Sequence, residues 1–170
     1  MADISLWLDD YDDIYSDFDS RQYPKRRISE DFIYEMKDAF NYRKEKIRDL
    51  FLFMPPEKRV EASEEIIVTG MTHFFNGQFL MAAGKYRKKW NRGILLGIIG
   101  LAVMICSASL TSIVQNPSFL KNILYVLLEP GGWFLLWASF DTIYYDLKEL
   151  KADKDFFKEL AATRVHFRSS

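Results

Sequence analysis

The stretch GILLGIIGLAVMICSASLTSIV, residues 93–114, decides how this chain is read: it runs for 22 residues without a charged side chain. At about 1.5 Å of rise per residue, a helix of that length covers about 33 Å, enough to cross a hydrocarbon layer of about 30 Å. Lys85, Arg87, Lys88, Lys89 and Arg92 stand immediately before it, together with Tyr86 and Trp90. Such a basic collar with aromatic anchors belongs on the cytoplasmic side by the positive-inside rule, which makes Arg87, Lys88, Lys89, Trp90 and Arg92 the expected interfacial anchor.

A second apolar stretch, residues 122–145, follows a turn expected around Asn116 and Pro117 and is itself followed by Lys148, Lys151 and Lys154. The basic excess thus flanks the pair of stretches at both ends. The expected fold is a membrane protein with a two-span transmembrane α-helical hairpin and a small cytoplasmic α+β domain, built from the segments before and after the hairpin. The expected organisation is an acidic, aromatic N-terminal segment and linker (1–28), a cytoplasmic α+β part (29–91), a first transmembrane helix (93–114), a second (122–145) and a cytoplasmic helix and strand (146–170). Both termini are then cytoplasmic, and the acidic start, which lacks the charge pattern of a signal peptide, is expected to be retained.

The second span is unusual because Glu129, Trp133, Trp137, Asp141 and Tyr145 recur at intervals of four. A charged group near the bilayer centre costs about 2.5 to 3.5 kcal/mol on insertion scales, so Glu129, Trp133, Trp137 and Asp141 read as an intramembrane polar stripe that faces protein or water. If the span instead begins near Gly131, Glu129 lies in the far headgroup region and Asp141 near the cytoplasmic surface. The triplet Pro130, Gly131 and Gly132 is expected to break or kink the helix.

Small residues mark candidate packing faces. In the first span Gly93, Gly97 and Gly100, continued by Met104, Ser107 and Thr111, recur at three and four residues and include a G-x-x-x-G spacing that lets helix backbones approach. Upstream, a helical pattern opens after Pro55 and Pro56, and in it Gly70, Gly77 and Gly84 recur every seven residues. Those three read either as helix weak points or as a second helix-packing face.

The water-soluble parts carry conventional signals. Residues 3–19 hold six aspartates after Trp7, and a helical reading puts Trp7, Tyr11, Ile14 and Phe18 on one face; the segment is expected as an amphipathic helix or loop, or as a docking segment for a basic partner. Ser29 can cap a helix with Glu30 and Asp31 in its first turn, running to about Tyr42 with an apolar stripe of Phe32, Met36, Ala39 and Phe40. Residues 47–54 are too short for a helix and read as a strand with both faces covered. Its expected partner is residues 163–168, where Arg164, His166 and Arg168 alternate with Val165 and Phe167.

Composition and motifs bound the chemistry. One cysteine, Cys106, and two distant histidines, His73 and His166, give no disulfide and no Cys/His metal set. Neither a phosphate-binding loop, a G-x-S-x-G turn nor an H-E-x-x-H motif is present, so no catalytic, cofactor or metal residues are named. The expected function is a non-enzymatic integral membrane protein that self-associates through its hairpin and binds a partner or assembles through its cytoplasmic domain. The alternatives are an oligomeric pore or channel-like effector and a membrane-anchored enzyme subunit, the latter resting on His166 and its arginine neighbours. The expected partners are a lipid bilayer, further copies of the chain and a protein bound by the cytoplasmic domain, with nucleic acid not expected.

Overall fold

The computed structural model describes residues 2–43, 47–113 and 118–169. Its elements are β1 (Ala2–Trp7), α1 (Glu30–Arg43), β2 (Ile47–Met54), α2 (Glu61–Ile113), α3 (Phe119–Asp141), α4 (Leu147–Ala162) and β3 (Arg164–Ser169), with short 3-10 turns at Tyr11–Ile14, Tyr23–Lys25 and Pro56–Lys58. The chain divides into two compact units: Met1–Ala82 with Asp153–Ser170, and Ala83–Ala152. Both α2 and α4 contribute residues to each.

The first unit is built on a three-stranded sheet of order β1-β2-β3, parallel throughout. Parallel neighbours need crossover connections, and α1 supplies the first. The second runs through α2, α3 and α4, so the whole helical insertion acts as the crossover that brings β3 back beside β2. The register pairs Leu50 with Val165 and Leu52 with Phe167, which joins the two segments expected to pair.

Period-2 alternation in the strands sends Ile4, Leu50, Leu52, Met54 and Val165 into one core, closed by Phe32 and Met36 of α1, Ile67, Met71 and Phe75 of α2, and Phe156 and Leu160 of α4. On the opposite face Phe51 and Phe53 are only half buried, so β2 is covered fully on one side rather than on both. Ser29 caps α1 as expected, its hydroxyl oxygen accepting from the Phe32 N–H at 3.0 Å.

The N-terminal segment departs from the helical reading. Residues 2–7 form a strand, because Ile4, Leu6 and Leu8 alternate with polar and exposed positions; Tyr11 and Ile14 are buried, whereas Trp7 is 56% and Phe18 101% exposed. Its aspartates brace the loop that follows: Asp13 accepts from the N–H groups of Asp9 and Asp10, Asp12 pairs with Arg26 at 2.6 Å, and Asp19 holds Arg21 at 2.7 Å.

In the second unit, α2 and α3 are long and apolar enough to cross a membrane. The helix α3 continues unbroken through Pro130, Gly131 and Gly132, and the irregularity lies later, in a π-helical turn at Thr142–Asp146. Of the turn expected around Asn116 and Pro117, residues 115–117 lie outside the described residues.

Candidate functional site

Three groups of residues carry chemistry beyond core packing. The first is a seam of small residues between α2 and α3. A Cβ placed on Gly93 would stand 2.7 Å from Ile143, on Gly97 2.8 Å from the Ser139 hydroxyl, and on Gly100 3.0 Å from Leu135 and from the Leu136 backbone nitrogen. From the other side, a Cβ on Gly132 would meet Met104 at 2.5 Å. The partners' numbers fall as the glycines' rise, and Ser139 Oγ donates to the Gly93 carbonyl oxygen at 2.7 Å. Close backbone approach with an interhelical hydrogen bond is how helices associate where apolar contact alone gives little advantage. Of the upstream row, Gly77 and Gly84 meet nothing within 4 Å, while Gly70 lines a cleft described below.

The second group is an exposed row on α3. Glu129, Trp133, Trp137 and Asp141 are all exposed, with Trp133 at 52% and Trp137 at 64%. Phe140 and Tyr144 extend the aromatic surface: Trp137 meets Phe140 edge-on at 6.1 Å, and Phe140 stacks on Tyr144 at 5.7 Å. In the most apolar windows of the two long helices only 17% and 12% of the residues are buried.

At the basic collar, Arg87, Lys88 and Arg92 are exposed, Tyr86 stacks on Trp90 with rings 6.4 Å apart, and Lys89 pairs with Asp146 at 2.7 Å. Cys106 is free and exposed on α2.

The third group is the half-exposed face of the sheet in the first unit. His166 Nε2 lies 3.1 Å from Asp49 Oδ1, and Arg164 Nε pairs with the same oxygen at 3.1 Å. The Phe51 ring stacks with the His166 ring at 5.5 Å and has the Arg168 guanidinium over it at 4.1 Å. Desolvation raises the Asp49 carboxyl, but the His166 hydrogen bond and the charges of Arg164 and Arg48 outweigh it and leave it below its ordinary range. The ring's described hydrogen bond goes to a carboxylate rather than to a nucleophile. Sequence reasoning named His166 but missed Asp49, because the two meet only through the parallel register of β2 and β3.

On the other side of that sheet, Arg59 ties the start of α2 to β3. Its Nε and Nη2 donate to Glu64 at 2.8 and 3.0 Å, and its Nη2 and Nη1 also reach the Phe167 carbonyl and the Ser169 hydroxyl. Tyr11 donates to Glu64 at 3.1 Å and accepts from the Val60 N–H at 2.8 Å.

Among the described residues no group of three or more histidine, cysteine, aspartate or glutamate side chains is placed to hold a metal ion. Compared with known proteins, the chain matches no family model, no curated protein and no solved structure.

Proposed function

We propose that this chain is a two-span membrane protein that assembles with copies of itself, and that its water-soluble unit binds a protein partner. In this reading α2 and α3 form a helical hairpin, closed by the glycine seam, with both termini on the cytoplasmic side. The observation that carries it is the exposure of large aromatic and acidic residues on a helix that packs against α2 through its small ones. Gly132 and Ser139 pack on α2, while Glu129, Trp133, Trp137 and Asp141 are left exposed. Carboxylates on an outer helix face are costly against lipid, and a neighbouring copy is the simplest cover for them. The large apolar surface left exposed on both helices supports a lipid environment, since water-soluble monomers rarely expose contiguous apolar patches of more than a few hundred Å².

The soluble unit has its own uncovered surface. All-parallel sheets are normally covered on both faces, yet here Trp7, Phe51, Phe53, His166 and Arg168 lie on a face over which the described residues place no layer. That face is the proposed partner surface. Oligomeric state in mild detergent tests the assembly: the wild type is expected as an oligomer, and the double substitution Trp133→Ala, Trp137→Ala as a monomer. A monomeric wild type would overturn the reading.

The exposed Glu129 and Asp141 also favour a second reading, in which several copies line a pore. Ion conductance in liposomes that disappears in Glu129→Gln would select it.

A further inference from the structure

A cleft of about 410 Å³ in the first unit is lined by Arg21, Lys25, Arg26, Arg27 and His73 beside Tyr15 and Tyr23. Four cations and an imidazole stand in this wall, and no carboxylate does. The volume falls in the range of ligand sites, about 300 to 1,000 Å³. A neighbouring cleft of about 430 Å³ shares Arg27, Ile28 and Phe74 with it, so a bound molecule has room to extend.

Three of the cations are positioned from outside the wall. Arg21 is gripped by Asp19, Arg26 by Asp12 and the Ser16 carbonyl, and Arg27 by Glu30. Arg21 donates to Asp19 from Nε and Nη2, which leaves Nη1 outside that pair. Lys25 and His73 are exposed, and among the described residues neither has a described ion pair. Guanidinium groups held in place, together with a lysine and a ring nitrogen, suit an anion with several oxygens, which is the chemistry of phosphate. Flat walls lie beside the charges: Tyr15 stacks on Tyr23 at 5.4 Å, with the Arg26 guanidinium 5.6 Å from the Tyr15 ring centre. Gly70 adds no side chain to fill the space.

We infer that this cleft binds a phosphate-bearing ligand, its phosphate held by Lys25, His73 and the fixed arginines of residues 21–27. The phosphate is that of a soluble nucleotide or of a lipid headgroup, and binding is expected to weaken as salt screens the cations.

The test is calorimetric titration of the full chain in detergent with ATP, inorganic pyrophosphate and adenosine, and of the chain in nanodiscs with and without phosphatidic acid. ATP and pyrophosphate are expected to bind and adenosine not to bind, which points to a soluble phosphate ligand. Binding confined to the phosphatidic acid nanodiscs supports the same site with a lipid phosphate. In either case Lys25→Glu and His73→Ala should each weaken binding by about tenfold, which is about 1.4 kcal/mol, with melting temperatures unchanged. Both positions are exposed, so a variant that melts early is set aside in favour of the other. Absence of phosphate binding up to about 1 mM in every arm, or binding that neither variant weakens, would overturn the inference.

Discussion

Ser139 Oγ hydrogen-bonds the backbone carbonyl of Gly93, one helix reaching the other where a larger residue at position 93 would collide with Ile143. Gly93, Gly97 and Gly100 thus serve contact within the chain, where the sequence alone left contact between copies equally open. Removing the bond by Ser139→Ala is expected to lower stability in detergent by about 0.6 kcal/mol, typical of such bonds between membrane helices. Gly100→Leu should do far more damage, because the nearest atoms include the backbone of Leu136 and Gly132, which cannot swing aside. Thermal denaturation of both variants in one detergent checks the order.

Gly77 offers the opposite expectation. With nothing within 4 Å of a new Cβ, Gly77→Ala should stabilise the first unit by about 0.4 to 1 kcal/mol through helix propensity and a less flexible unfolded chain. A loss of stability on denaturant titration would mean that Gly77 has a neighbour outside this chain.

The Arg59–Glu64 pair should make stability fall in acid. Its hydrogen bond from Arg59 holds the Glu64 carboxyl below the ordinary value of 4.5; burial pushes the other way, and Tyr11 adds to the lowering. A lowered folded-state value means that the contribution is fully present above pH 4.5 and fades as pH falls through the lowered value. Asp49 shifts in the same direction and adds to the slope. Melting temperature followed downward from pH 6 should drop less steeply in Glu64→Gln than in the wild type, although that variant starts from a lower value.

Tyr11→Phe isolates the neutral part of the same network. It strips the Val60 N–H of its acceptor and Glu64 of a donor, at an expected cost of about 1 to 3 kcal/mol. Urea titration provides the measurement, and an unchanged midpoint would show that water replaces the hydroxyl without loss.

Deleting residues 163–170 removes β3 and exposes one edge of β2. Because Leu50 and Leu52 pair with Val165 and Phe167, limited proteolysis should then cut near Phe51 while the long helices stay protected by detergent. An identical digestion pattern in the truncated and full chains would show that β1 alone suffices to hold β2.

Reporter fusions test the proposed topology. A reporter placed at Ser118 and one at the carboxyl terminus should report opposite sides of the membrane, as expected from the basic residues that precede α2's apolar stretch and follow α3. Matching signals would exclude the hairpin.

The long apolar helices were legible in the sequence because length and lack of charge are local properties, and so were the cap at Ser29 and the strand over residues 47–54. The partnership of β2 and β3 could also be read, since alternation at both ends of the chain pointed to two half-buried strands. Their parallel direction, the strand at Ala2–Trp7 and the meeting of Asp49 with His166 belonged to the tertiary structure. Direction and register depend on where a connection of more than a hundred residues returns the chain, which no local pattern encodes. The same holds for α3. Glu129, Trp133, Trp137 and Asp141 could be seen as a stripe from their spacing of four, but only the packing of Gly132 and Ser139 on α2 showed which residues are covered and that the stripe is left exposed. A helix has sides in sequence, and it acquires an inside only when something packs against it.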